Sequence, residues 1–103
     1  MPKIVCVTAC PTGIAHTYIA AEALKIAGES LGYQMMIETN GAIGIENKLN
    51  LTDIAESLGV IIAADVMIDK HRFKNKVIVE TSTLEAIKDA KLLIKELLNQ
   101  IKG

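Results

Sequence analysis

The stretch Cys10-Pro11-Thr12-Gly13-Ile14-Ala15-His16-Thr17 sets a soft nucleophile beside a glycine, two hydroxyls and an imidazole. A cysteine thiolate attacks phosphorus and can carry a phosphoryl group. Pro11 lacks an N–H and stiffens the chain just after the thiol, while Gly13 lets the backbone curl around an anion. The N–H groups from Thr12 through Gly13, Ile14, Ala15, His16 and Thr17 are candidate donors to phosphoryl oxygens. Thr17 adds a hydroxyl, directed either to Cys10 or to the phosphoryl group, and His16 adds a ring N–H. The elements that must position these groups flank them directly. Lys3-Ile4-Val5-Cys6-Val7-Thr8 reads as a strand and a helical pattern follows Ala15, so Cys10 falls in a strand-to-helix turn. Such a turn aims unpaired backbone N–H groups and the positive end of the helix dipole at one spot. Cysteines in settings of this kind have pKa values of about 3.5–7.5.

The remaining chain builds a scaffold for that turn. Ala20, Leu24, Ala27 and Leu31 recur at helical spacing over residues 15–31, with Gly32 as the expected C′ residue. Residues 33–39 read as a second strand, 42–49 as a loop holding Gly44, and 51–57 as a short amphipathic helix. Val60-Ile61-Ile62-Ala63-Ala64 is a continuous apolar run typical of a parallel strand buried on both faces. Residues 65–75 are charged and irregular, and 76–80 supply a fourth strand. Ser82-Thr83-Leu84-Glu85 has the capping-box pattern, opening a last helix that should bury Ile87, Ala90, Ile94, Leu97 and Ile101. Strands alternating with helices predict an α/β fold: a three-layer, open, four-stranded parallel sheet flanked by helices, Rossmann-like, with the cysteine loop after strand 1. Ligands of such sheets sit beyond the carboxyl ends of the strands. Cys10, Asn40-Gly41, Asp65 and Thr81-Ser82 all fall at those ends.

Composition excludes several functions. At 103 residues the chain reads as a single domain, residues 1–103, and half of it is hydrophobic. With only 3% aromatic residues and a net charge of −1, neither a basic surface nor a stacking platform for nucleic acid is present. No apolar run approaches the roughly 20 residues that cross a bilayer. The first apolar run is short and strand-like rather than a leader, so the expected location is cytoplasmic. Cys6 and Cys10 are the only cysteines, and their spacing with two distant histidines matches neither a zinc site nor a redox dithiol. No cofactor or metal is expected. Alternation puts Cys6 inside the sheet as a small hydrophobe. Asp65 and Asp69 read as turn-forming carboxylates before they read as cation ligands, and His71 as a solvated residue.

Spacing alone leaves His16 and Thr17 open between helix-start polarity and catalysis. It also admits a different chemistry. Low-molecular-weight cysteine phosphatases use Cys-x5-Arg-Ser/Thr in a similar turn, but here His16 stands at the arginine position. Imidazole cannot clamp a phosphoryl group with two parallel bonds as guanidinium does. No acid in an Asp-Pro context is present to protonate a leaving alcohol. The turn therefore suits a phosphoryl relay better than hydrolysis.

Val7-Thr8-Ala9-Cys10-Pro11-Thr12-Gly13-Ile14-Ala15-His16-Thr17 with Ala20-Ala21-Glu22-Ala23-Leu24 resembles the fructose-class enzyme IIB component of the bacterial sugar phosphotransferase system. Glu38-Thr39, Gly41, Ile43 to Asn47, Ala63-Ala64-Asp65 and Arg72-Phe73 extend the likeness over the whole chain. The resemblance implies that Cys10 takes a phosphoryl group from a phosphohistidine on a IIA component. It implies donation to a sugar, fructose or fructose-like, held by a membrane IIC component. Two positions depart from the pattern: Asn40 stands where Gln is frequent, and Cys6 replaces a commoner small apolar residue. The first bears on partner or subtype preference.

Overall fold

Alternation along the first strand decides the layers. β1 (Lys3–Ala9) sends Ile4 and Cys6 into one apolar core and Val5 and Val7 into another, all four fully buried. Pleating makes neighbouring side chains face opposite ways, so β1 must be covered on both sides. The computed structural model describes residues 2–11 and 15–102. After β1 come α1 (Ala15–Ser30), β2 (Gln34–Gly41), β3 (Gly44–Glu46), α2 (Leu51–Glu56) and β4 (Val60–Ala64). A 3-10 turn at His71–Phe73, β5 (Ile78–Thr81), α3 (Thr83–Lys88) and α4 (Ala90–Lys102) complete the order.

The sheet runs β3-β2-β1-β4-β5, with β2, β1, β4 and β5 parallel and β3 antiparallel on the outer edge of β2. On one face, Ala20, Leu24 and Ala27 of α1 join Ala86 of α3 and Ile94 and Leu97 of α4 over Ile4, Cys6 and Ile61. On the other, Ile54 of α2, Leu49 and Phe73 cover Val5, Val7, Val60 and Ile62. Each fully buried Ile, Leu or Val contributes about 1.5–3 kcal/mol. The three layers and four-strand parallel core predicted from the sequence are present.

Local signals explain the helix ends. α1 closes in a Schellman motif: Tyr33 N–H donates to Gly28 O at 2.9 Å and Gly32 N–H to Glu29 O at 3.1 Å, with Gly32 at φ 91°. Asn50 caps α2 by accepting from Asp53 N at 2.7 Å. Ser82 caps α3 by accepting from Glu85 N at 3.2 Å.

The structure corrects three details. Residues 42–49, expected as loop, contain β3, so the sheet has five strands rather than four. The strand forms because Gly41 and Gly44 flank a two-residue turn, Gly44 at φ 104°, which folds Ile45 back against Asn40. The last helix is two helices, α3 and α4, broken at Asp89 (φ −156°, ψ 79°), whose carboxylate accepts from Leu92 N at 3.1 Å. Ile101, expected in the core, is exposed at the end of α4, as is Leu31 after α1.

Candidate functional site

Register fixes what meets at the carboxyl edge. Ala9 pairs with Asn40 on one side and Ala64 on the other, and Ala63 pairs with Thr81. Cys10, Asn40-Gly41, Asp65 and Thr81-Ser82 therefore leave neighbouring strands on one rim. Cys10 continues the Ile4, Cys6, Thr8 row toward α1 and is 7% exposed. Thr17, in the first turn of α1 and fully buried, donates from Oγ1 to Cys10 Sγ at 3.2 Å. Of the sequence-selected residues, Thr17 is thus brought to the sulfur. Pro11, Ala15 and His16 are exposed at the same place. Ala15, His16 and Thr17 begin α1, where N–H groups have no intrahelical acceptor. Thr12, Gly13 and Ile14 lie outside the described residues. Cys6, by contrast, is buried in the core, and desolvation pushes its thiol pKa up.

Two polar arrangements brace the rim, and neither was singled out from spacing. Asp65 N donates to Ala9 O at 2.9 Å, and its carboxylate accepts from Thr83 N at 3.1 Å and Thr83 Oγ1 at 2.6 Å. The end of β4 is thereby tied to the start of α3. Asp69 accepts from His71 N at 2.9 Å, so both aspartates have the structural role preferred from sequence. On the opposite face, Glu38 of β2 is 2% exposed and bridges Arg72 with both carboxylate oxygens, at 2.8 and 2.9 Å. Leu49 N donates to the same carboxylate at 2.9 Å, and the guanidinium lies 4.9 Å from the Phe73 ring centre. Burial pulls the Glu38 pKa up, but Arg72, Leu49 N–H and Asn40 together outweigh it and hold the carboxyl below its ordinary value. The paired residues are 34 positions apart, and only the fold joins them.

The rim is apolar at its outer margin. Ile43 in the β2–β3 turn is 80% exposed and Met67, past β4, is 95% exposed. Met67 is also part of the wall of a cleft of about 360 Å³ lined by Asn40, Ile45 and Lys48, with Glu38 and Arg72 among its other walls. Among the described residues, no helix is long and apolar enough to cross a membrane, and no cluster of three metal-ligating side chains occurs.

Fold and rim together set a buried cysteine, held by a threonine from the first turn of α1, at the carboxyl edge of a doubly covered, mainly parallel sheet, where ligands of such folds sit. The family model described as "PTS system, Lactose/Cellobiose specific IIB subunit" matches residues 5–96. The fructose-like EIIB component 2 of Escherichia coli K12 is 43% identical over 98 residues, covering 94% of this chain and 92% of that protein. The fructose-specific EIIABC component of Bacillus subtilis is also 43% identical, over 95% of this chain, which spans only 15% of that longer protein. A crystal structure of a domain from a Borrelia burgdorferi fructose-specific IIABC component superposes with a TM-score of 0.93 at 46% identity, covering 95% of this chain and 94% of that one. The chain belongs to the PTS IIB family and is a fructose-class phosphotransferase component, a phosphoryl relay of sugar uptake.

Proposed function

We propose that Cys10 is the relay atom. It accepts a phosphoryl group from a phosphohistidine of a IIA component and passes it to a sugar, fructose or fructose-like, held by a membrane IIC component. In the first step the Cys10 thiolate attacks phosphorus, the S–P bond forms, and the P–N bond breaks with its electron pair returning to the imidazole nitrogen. In the second a sugar hydroxyl oxygen attacks phosphorus and releases its proton to water, and the S–P bond breaks with its electron pair returning to sulfur to restore the thiolate. Both steps depend on positioning and charge stabilisation rather than on further covalent machinery on this chain. The reading places the protein, as one IIB domain, on the cytoplasmic side of the membrane.

The observation that carries the reading is the Thr17 Oγ1 to Cys10 Sγ contact of 3.2 Å at the start of a 16-residue helix. A hydroxyl donor and a helix N-terminus both favour the thiolate and then the phosphoryl dianion. The loop groups Pro11, Thr12, Gly13, Ile14, Ala15, His16 and Thr17 form the cradle in this proposal, with His16 donating to the transferring group. Exposed Ile43 and Met67 beside the site suit brief encounters with two successive partners. Hydrolysis in the phosphatase manner lacks its guanidinium: Arg72 is the sequence's sole arginine, and its fork is engaged by Glu38.

Phosphorylated IIA supplied with labelled phosphate tests this directly. Cys10→Ser should take up no stable phosphoryl label, while Cys6→Ser should label as the parent does. Equal labelling of both variants would show that the acceptor lies elsewhere.

A further inference from the structure

Among the described residues, Thr8 Oγ1 is the one buried side-chain oxygen or nitrogen with no hydrogen-bond partner. Native proteins rarely leave a hydroxyl in that state, and each instance asks for a cause. Its position supplies one. Thr8 is fully buried and follows Ile4 and Cys6 on the face of β1 that α1 covers. The next position along that row is Cys10. Thr39 of β2 and Ala63 of β4 flank Thr8 in register, so the sides are closed by neighbouring strands. Strand side chains lean along the strand direction and turn between staggered rotamers. One such turn swings the hydroxyl toward the sulfur end of β1, where Thr17 already donates.

From this juxtaposition we infer that Thr8 is a positioning residue whose hydroxyl joins that of Thr17 as a donor to the Cys10 sulfur when that sulfur is anionic. The inference rests on the relay reading for its purpose. A neutral thiol is a weak acceptor and does not draw the hydroxyl in. A thiolate 7% exposed, as it is before accepting and after donating the phosphoryl group, strongly favours added donors. Thr8 thus stabilises the attacking sulfur in the first step and the leaving sulfur in the second.

The test compares Thr8→Ser with Thr8→Ala, which differ by the hydroxyl alone, and adds the near-isosteric Thr8→Val. Cys10 is titrated through thiolate ultraviolet absorbance on the full chain; burial keeps Cys6 out of the range. His16 in the first turn of α1 and Asp65 after β4 are ionisable neighbours at this edge, and they are the same in all variants. Thr8→Ala and Thr8→Val should shift the Cys10 titration upward by about one pH unit, a tenfold loss of thiolate at a given pH below it. Thr8→Ser should titrate as the parent does, and Thr8→Val should melt no lower than the parent because an unpartnered hydroxyl has been removed. In transfer from phospho-IIA, Thr8→Ala should lower kcat and leave KM unchanged. Coincident titrations for Thr8→Ser and Thr8→Ala would overturn the inference. So would loss of folding in Thr8→Val, which would make the hydroxyl structural. Absence of label on parental Cys10 would sink the relay reading instead, while the titrations would still decide whether Thr8 serves the sulfur.

Discussion

Around the sulfur, single donors decide chemistry, because each hydrogen bond to a charged group is worth about 1.5–3 kcal/mol. Thr17 is fixed by burial as well as by its bond, so its loss touches both packing and charge. Thr17→Val keeps the shape and removes the donor. In the proposed relay it should slow phosphoryl acceptance about tenfold or more while leaving circular dichroism unchanged, as rapid-quench labelling would register. An unaltered rate would return Thr17 to a packing role. His16 is the contrasting case. It is exposed, so His16→Ala should leave the fold and the acceptor intact and slow transfer only if imidazole touches the transferring group. Forward and reverse rates both equal to the parent's would make it a surface residue.

Among the elements, α1 packs closely on β2 at Gly28. A Cβ there would overlap the Sδ and Cγ atoms of Met35, a buried neighbour on β2. Gly28→Ala gains about 1 kcal/mol of helix propensity, but overpacking costs about 1–3 kcal/mol. The net should be a loss of about 1 kcal/mol in urea unfolding, reduced when Met35→Ala is present because the clash is gone. Additive losses would show that the cost of Gly28→Ala does not come from Met35. That contact was invisible in the sequence, since Gly28 sits in a helical pattern that any small residue satisfies. What could be read were features with a local cause: alternation in β1, the apolar run of β4, Gly32 after α1 and the Ser82 cap. β3 escaped because three residues give no periodicity, although the Gly41-x-x-Gly44 spacing carried a turn signal. The break at Asp89 escaped because apolar residues continue in step on both sides of it. Within the site, Cys10 and Thr17 were legible because the turn is local. Glu38–Arg72 and Asp65–Thr83 were not, because only folding brings those partners together.

At the level of the whole molecule, the Glu38–Arg72 pair joins β2 to the segment before β5 on the face opposite α1, and its charge makes stability depend on pH. The Glu38 carboxyl is held below its ordinary value of 4.5 in the folded protein. A lowered folded pKa means that the pair's contribution is complete above about pH 5 and fades as pH falls through that value toward the folded one. Arg72→Met keeps apolar contact with Phe73 but leaves Glu38 buried opposite no cation. An unpaired buried carboxylate costs about 3 kcal/mol, toward the lower end for such pairs because Arg72 itself is a quarter exposed. Burial now acts with less opposition, so the Glu38 pKa rises above its value in the parent and acid weakens the variant less than it weakens the parent. Urea unfolding at about pH 7 and about pH 4 should therefore show the gap between the two proteins narrowing on acidification. Glu38→Gln combined with Arg72→Met should remove most of the gap at both pH values, because no buried charge remains. A gap equal at both pH values would mean that Arg72 stabilises the fold through packing on Phe73 rather than through the carboxylate it grips.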